Sequence, residues 1–86
     1  MDLIKIREEI DKVDNELSKL FIKRMELVRE VSKEKAKQSI NIEHIDREKE
    51  IVARLIKDCP EEFNPYLQKL YDCLFILSKD FQKENG

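Results

Sequence analysis

Between Leu3 and Gln38 the chain contains neither glycine nor proline, and apolar residues recur at alternating three- and four-residue intervals: Leu3, Ile6, Ile10, Val13, Leu17, Leu20, then Leu27 and Val31. That spacing holds one stripe on one side of an α-helix. A helix of this extent runs roughly 50 Å at a rise of ~1.5 Å per residue. The remainder of an 86-residue chain is too short to cover such a stripe, so a helix from a second copy is needed to bury it. Dimerisation is the first expectation.

The rest of the chain reads as helical too. Charged residues make up 42% and hydrophobic ones 41%, with one glycine at the end and two prolines, a balance typical of long helices. Residues 39–44 break the period and predict a loop. Ile45 to about Lys57 resumes it for three to four turns, until Cys59-Pro60, where the residue before proline is steered out of helical geometry. Asn64-Pro65 predicts a third helix, with the Asn64 side chain as cap and proline harmless in the first turn, running to about Lys83. The expected architecture is all-α: residues 1–86 as a single domain of three helices, one very long and two shorter, in an intertwined helical homodimer.

Charge and motifs exclude several classes of function. The net charge of −2, with both signs interspersed, provides no broad basic field for nucleic acid or an anionic membrane. Lys33, Lys35 and Lys37 form the nearest thing to a basic cluster, diluted by Glu34. Cys59 and Cys73 have neither CxxC spacing nor a neighbouring histidine, so they read as free core thiols rather than a metal or redox pair. No run approaches the ~20 apolar residues of a membrane span, and no apolar leader opens the sequence. The expectation is a cytoplasmic protein without metal or cofactor.

Polar residues intrude on every predicted stripe. Arg24 interrupts the long apolar series, Glu48 interrupts Ile45, Val52 and Leu55, and Ser78 with Gln82 extend the row Leu67, Tyr71, Leu74, Phe75. Unpartnered burial costs roughly 2–7 kcal/mol for a neutral polar group and more for a charge. Lys35 follows Arg24 by eleven residues, about 20° around the helix and ~16.5 Å along it, within reach of two long side chains closing on a small dianion. Arg7 precedes Arg24 by seventeen residues, ~25 Å along the axis. One subunit cannot bring both to a single small ligand, but a crossed or antiparallel dimer can.

With Arg47 at the start of the second helix, these residues suit a ligand bearing two carboxylates, which guanidinium groups hold in forked geometry, with Glu48 for a hydroxyl. Purely structural readings stand beside this one. Arg24 and Glu48 can pair with each other, and Ser78 can bond back to its own helix. Gln82 can sit on a frayed end, Arg7 and Lys35 on a solvated face, and Asp46, Arg47 and Glu48 can simply favour a helix N-terminus. The sole histidine, His44, falls near the loop. No nucleophile–base pair is evident, so catalysis would rest on positioning and electrostatics.

The run Ile6-Arg7-Glu8-Glu9-Ile10-Asp11-Lys12-Val13-Asp14, then Leu20-Phe21-Ile22-Lys23-Arg24-Met25-Glu26-Leu27, Val31-Ser32-Lys33-Glu34-Lys35 and Ile45-Asp46-Arg47-Glu48 resembles the all-helical AroQ-type chorismate mutases over nearly the whole chain. The resemblance implies an intertwined homodimer with two equivalent sites, each completed by Arg7 of the neighbouring subunit. Arg24 would hold a substrate carboxylate, and Arg47 matches the arginine opening the second helix. Lys35 would reach a carboxylate and the ether oxygen, with Gln82 on that oxygen's other side. Glu48 would bind the ring hydroxyl, and Ser78 would assist a carboxylate. Met25, Ser32 and His44 depart from residues found in some members, the first two at positions not central to the site.

The implied reaction is the Claisen rearrangement of chorismate to prephenate, in phenylalanine and tyrosine biosynthesis, without covalent intermediate or proton transfer. An isochorismate–pyruvate lyase on the same scaffold is the nearest alternative, disfavoured by Gln82 and Glu48. A non-catalytic helical dimerisation module is the other.

Overall fold

The computed structural model of the chain describes the backbone of residues 2–38 and 45–85 and the side chains of 2–37 and 46–84. The expected loop at 39–44, and His44 with it, lies outside the described residues. These form α1 (Leu3–Gln38), α2 (Ile45–Lys57), a single 3-10 turn (Glu61–Phe63) and α3 (Asn64–Asn85). No strand occurs among the described residues, and no helix is long and apolar enough to cross a membrane.

Asp2 starts α1 by accepting the Lys5 amide on its Oδ1 at 2.9 Å, while its carbonyl accepts the Ile6 amide. A side-chain oxygen at this position satisfies an amide that the first turn leaves without a partner. The solvated side of α1 carries pairs three residues apart, Lys12–Glu9, Lys19–Glu16, Lys33–Glu30 and Lys37–Glu34. All are exposed, so each contributes a few tenths of a kcal/mol. Packing must supply the rest.

The α2–α3 junction follows the proline reading, but Asn64 does not act as the expected cap. The Cys59 amide closes a turn on the Ile56 carbonyl, and the Phe63 amide donates to the Pro60 carbonyl at 2.9 Å. The 3-10 turn then leads straight into α3, so Asn64 is itself helical at φ −51°, ψ −51°. A capping side chain needs extended geometry at its own residue. The Asn64 Oδ1 is accordingly buried without a hydrogen-bond partner.

α3 is the common neighbour. It runs along the C-terminal half of α1 in the same direction, with Ser78 beside Arg24 and Phe81 beneath Arg29. It runs opposite to α2, with Lys79 beside Glu48. Among the described residues α1 and α2 make no backbone contact with each other. The half-buried residues of α1 are Phe21, Arg24, Met25, Val28, Ser32 and Lys35, at the spacing of one stripe.

The long apolar series is not that stripe. Every residue from 2 to 20 is exposed, and Ile10, Val13 and Leu20 are 51%, 62% and 64% exposed, with Leu27 and Val31 also open to solvent. Phe75 alone among the described apolar residues is buried. The molecule measures 54 × 25 × 16 Å with a radius of gyration of 16.0 Å, against about 12 Å for a compact chain of this length. Cys59 is half-buried and Cys73 exposed. Cys73 is therefore not the core thiol expected, because it lies off the row Leu67, Tyr71, Leu74, Phe75 through which α3 packs.

Candidate functional site

Where α3 holds α1 and α2 apart, an open cavity of about 380 Å³ remains, within the range of small-molecule sites. Val28, Val31, Ile51 and Phe75 supply its apolar walls. Arg24 and Lys35 enter from α1, Arg47 and Glu48 from α2, and Ser78, Lys79 and Gln82 from α3. Six of the seven residues singled out in the sequence thus meet in one cavity. Arg7 does not: it is exposed on the projecting half of α1.

Arg24 does not pair with Glu48. Its Nη1 donates to the Ser78 Oγ, its guanidinium carbon lies 5.8 Å from the centre of the Phe75 ring, and no carboxylate pairs with it among the described residues. Phe75 in turn meets Tyr71 edge to face, ring centres 5.8 Å apart. The ring face supports the cation without neutralising it. The guanidinium keeps the capacity to grip an anion.

Ser78 bonds back to its own helix, donating to the Leu74 carbonyl at 2.8 Å, and still accepts from Arg24 because a hydroxyl has two lone pairs. Gln82 is not frayed. It is 7% exposed, donates from Nε2 to the Ser78 carbonyl at 3.3 Å, and leaves Oε1 buried without a partner. Its second amide N–H is available to a ligand. A buried polar atom left in this state costs about 1–3 kcal/mol.

Lys35 is half-buried at the cavity rim, and burial lowers its ammonium pKa from the usual 10.5 by disfavouring the charged form. Arg47 stays exposed, 4.0 Å from Glu50. Glu48 accepts from the Lys79 Nζ at 2.9 Å, both side chains about a quarter exposed. Sequence reasoning missed Lys79. The signal was present: Tyr71, Phe75 and Lys79 are successive members of one four-residue row, and Lys79 intrudes there as Ser78 does on the adjacent row.

The lining therefore holds four cationic side chains and one carboxylate, with donors on three sides. It can bind a small dianion and place N–H groups around one of its oxygens.

Comparisons with known proteins identify a family for the chain. A curated chorismate mutase of Methanocaldococcus jannaschii is 39% identical over 59 residues, covering 69% of this chain and 60% of that protein. No solved structure matches. The family model described as chorismate mutase type II matches residues 6–83, a span that takes in Arg7 and all the predicted cavity residues, and the chain belongs to that family.

Proposed function

We infer that the chain is a chorismate mutase, converting chorismate to prephenate in phenylalanine and tyrosine biosynthesis. The observation that carries this reading is the meeting of Arg24, Lys35, Arg47, Glu48, Ser78 and Gln82 in one cavity, in a chain of the chorismate mutase type II family.

In this reading Arg24, beside Ser78, holds one substrate carboxylate and Arg47 opposes it from α2. Lys35 bridges the second carboxylate and the ether oxygen. The free N–H of Gln82 approaches that oxygen from α3, and Glu48 accepts the ring hydroxyl. The cavity selects the folded conformer in which the enolpyruvyl chain lies over the ring, removing much of the orientational barrier. As the carbon–oxygen bond lengthens, negative charge grows on the ether oxygen between Lys35 and Gln82. Donors fixed in advance stabilise that charge more than they stabilise the ground state.

A homodimer completes the site. The exposed series Leu3, Ile6, Ile10, Val13, Leu17, Leu20 supports this, as does the distance of Arg7 from its own cavity: the matching helix of a second copy would cover the series and bring its Arg7 to the open side. Nothing in the cavity needs a metal or cofactor for a rearrangement of this kind.

The test is direct: purified protein is supplied with chorismate and, separately, isochorismate. Prephenate from the first supports the reading. Pyruvate release from isochorismate far exceeding chorismate turnover would overturn it in favour of the lyase, and inertness toward both would leave a dimerisation module.

A further inference from the structure

Among the described residues, Lys79 is the one polar side chain of the cavity lining to which the proposed reaction assigns no part. Its ammonium lies 2.9 Å from the Glu48 Oε2, and the pair ties α2 to α3 at the cavity wall. Among the described residues α2 makes backbone contact with α3 and none with α1, so the direction in which Glu48 points depends on what α3 offers it. A carboxylate has two oxygens able to accept. With Oε2 held by Lys79, Oε1 remains for a ligand in a defined orientation.

The surroundings of Glu48 give the pair a second consequence. Arg24 and Lys35 from α1, Arg47 from its own helix and Lys79 from α3 share the cavity, while Lys49 and Asp72 line a second, shallow pocket between α2 and α3 that Glu48 also borders. Among the described residues Glu48 is the only carboxylate in the cavity lining, and a dianionic substrate must approach it. Charges of like sign in a partly desolvated site repel strongly. An ammonium in contact with the carboxylate offsets that repulsion.

We propose that Lys79 is a positioning residue that acts through Glu48, orienting its second oxygen toward the substrate hydroxyl and neutralising its charge against a dianionic ligand. The proposal rests on the mutase reading above.

The experiment is a double-mutant cycle in the full chain, with Lys79→Met, Glu48→Gln and the combination, plus Lys79→Arg. It is read as kcat and KM for chorismate, with thermal unfolding of each variant alongside. Lys79→Met should lower kcat/KM roughly tenfold, divided between kcat and KM as in Glu48→Gln, since residues in contact are energetically coupled. In the Glu48→Gln background the same change should cost less than about twofold. Lys79→Arg, which keeps the charge, should recover to within roughly threefold of the native protein. Should the methionine variant fail to fold, Lys79→Gln is read by the same criteria.

Additive losses would show that Lys79 meets the substrate itself and overturn the proposal. So would native activity per folded dimer in Lys79→Met, or a loss that tracks unfolding and is not rescued by arginine. A native protein inert toward chorismate overturns the mutase reading and this inference together, whereas an active native protein with an uncoupled Lys79 overturns only the inference.

Discussion

The Arg24 Nη1 donates to the Oγ of Ser78, and that same hydroxyl donates to the Leu74 carbonyl one turn earlier. The guanidinium is thus aimed by a group whose own orientation is set by the backbone of α3. It carries no carboxylate partner among the described residues, so its charge remains for a ligand.

Arg24→Ala should abolish most activity while leaving the dimer folded. Losing a forked, charge-assisted contact of ~3–4 kcal/mol lowers kcat/KM by roughly 10²–10³-fold. The stability loss should be nearer 1 kcal/mol, from the contact over Phe75. A circular-dichroism melt beside the assay separates the two, and a protein that unfolds yet keeps full activity per folded dimer would make Arg24 structural. Ser78→Ala should cost only about tenfold, because it loosens the guanidinium without removing it.

A site shared across two subunits has a stoichiometric signature. In a heterodimer of Arg7→Ala and Arg24→Ala subunits, one cavity has both arginines and the other has neither. Two nearly inactive proteins, unfolded and reassembled together, should yield about half the native activity per heterodimer, by the symmetry of a two-fold dimer. A heterodimer isolated with two different tags and still inactive would rule out the shared site.

Lys35 predicts opposite pH responses for activity and stability. Desolvation lowers its pKa from 10.5, so its positive charge is lost at a lower pH than that of an ordinary lysine. The alkaline limb of kcat/KM should begin below 10.5. Over the same interval the unfolded chain binds more protons than the folded one, so this group makes stability rise with pH. Lys35→Arg should abolish the alkaline limb, because a guanidinium stays protonated. A limb unmoved by that change belongs to another group.

The exposed series on α1 can be tested without substrate. Val13 is 62% exposed in the single chain, where Val13→Glu would be nearly neutral. Packed against a second copy, a buried unpaired carboxylate there should cost several kcal/mol and dissociate the protein. Sedimentation equilibrium should show a dimer for the native chain and for Lys19→Ala on the solvated face, and loss of dimer for Val13→Glu. A variant that stays dimeric would place the interface elsewhere.

The helices were legible in the sequence because their signals are local. The unbroken apolar period without glycine or proline marked α1, its break at residues 39–44 marked where α1 ends, and Cys59-Pro60 marked the close of α2. Asn64 misled because a 3-10 turn upstream removed the extended geometry that capping requires, which a dipeptide does not reveal. Arg24, Glu48, Ser78 and Gln82 were legible as polar intruders on apolar rows, and Lys35 by its spacing from Arg24, but their partners were not. Arg24 and Glu48 were each readable as the other's counter-ion, yet the length of α3 brings Ser78 to one and Lys79 to the other. Which stripe of α1 meets α3 was equally hidden, since two apolar stripes lie side by side on that helix and only tertiary packing chooses between them.

Phe75 touches the consequence of this economy most directly. The same ring is the one buried apolar side chain among the described residues, the edge-to-face neighbour of Tyr71, the surface beneath Arg24 and a wall of the cavity. In larger enzymes a change to the scaffold can be absorbed before it reaches the chemistry. At Phe75 the packing and the proposed site share one ring, so mutations there that alter ligand binding and mutations that alter folding draw on one set of atoms.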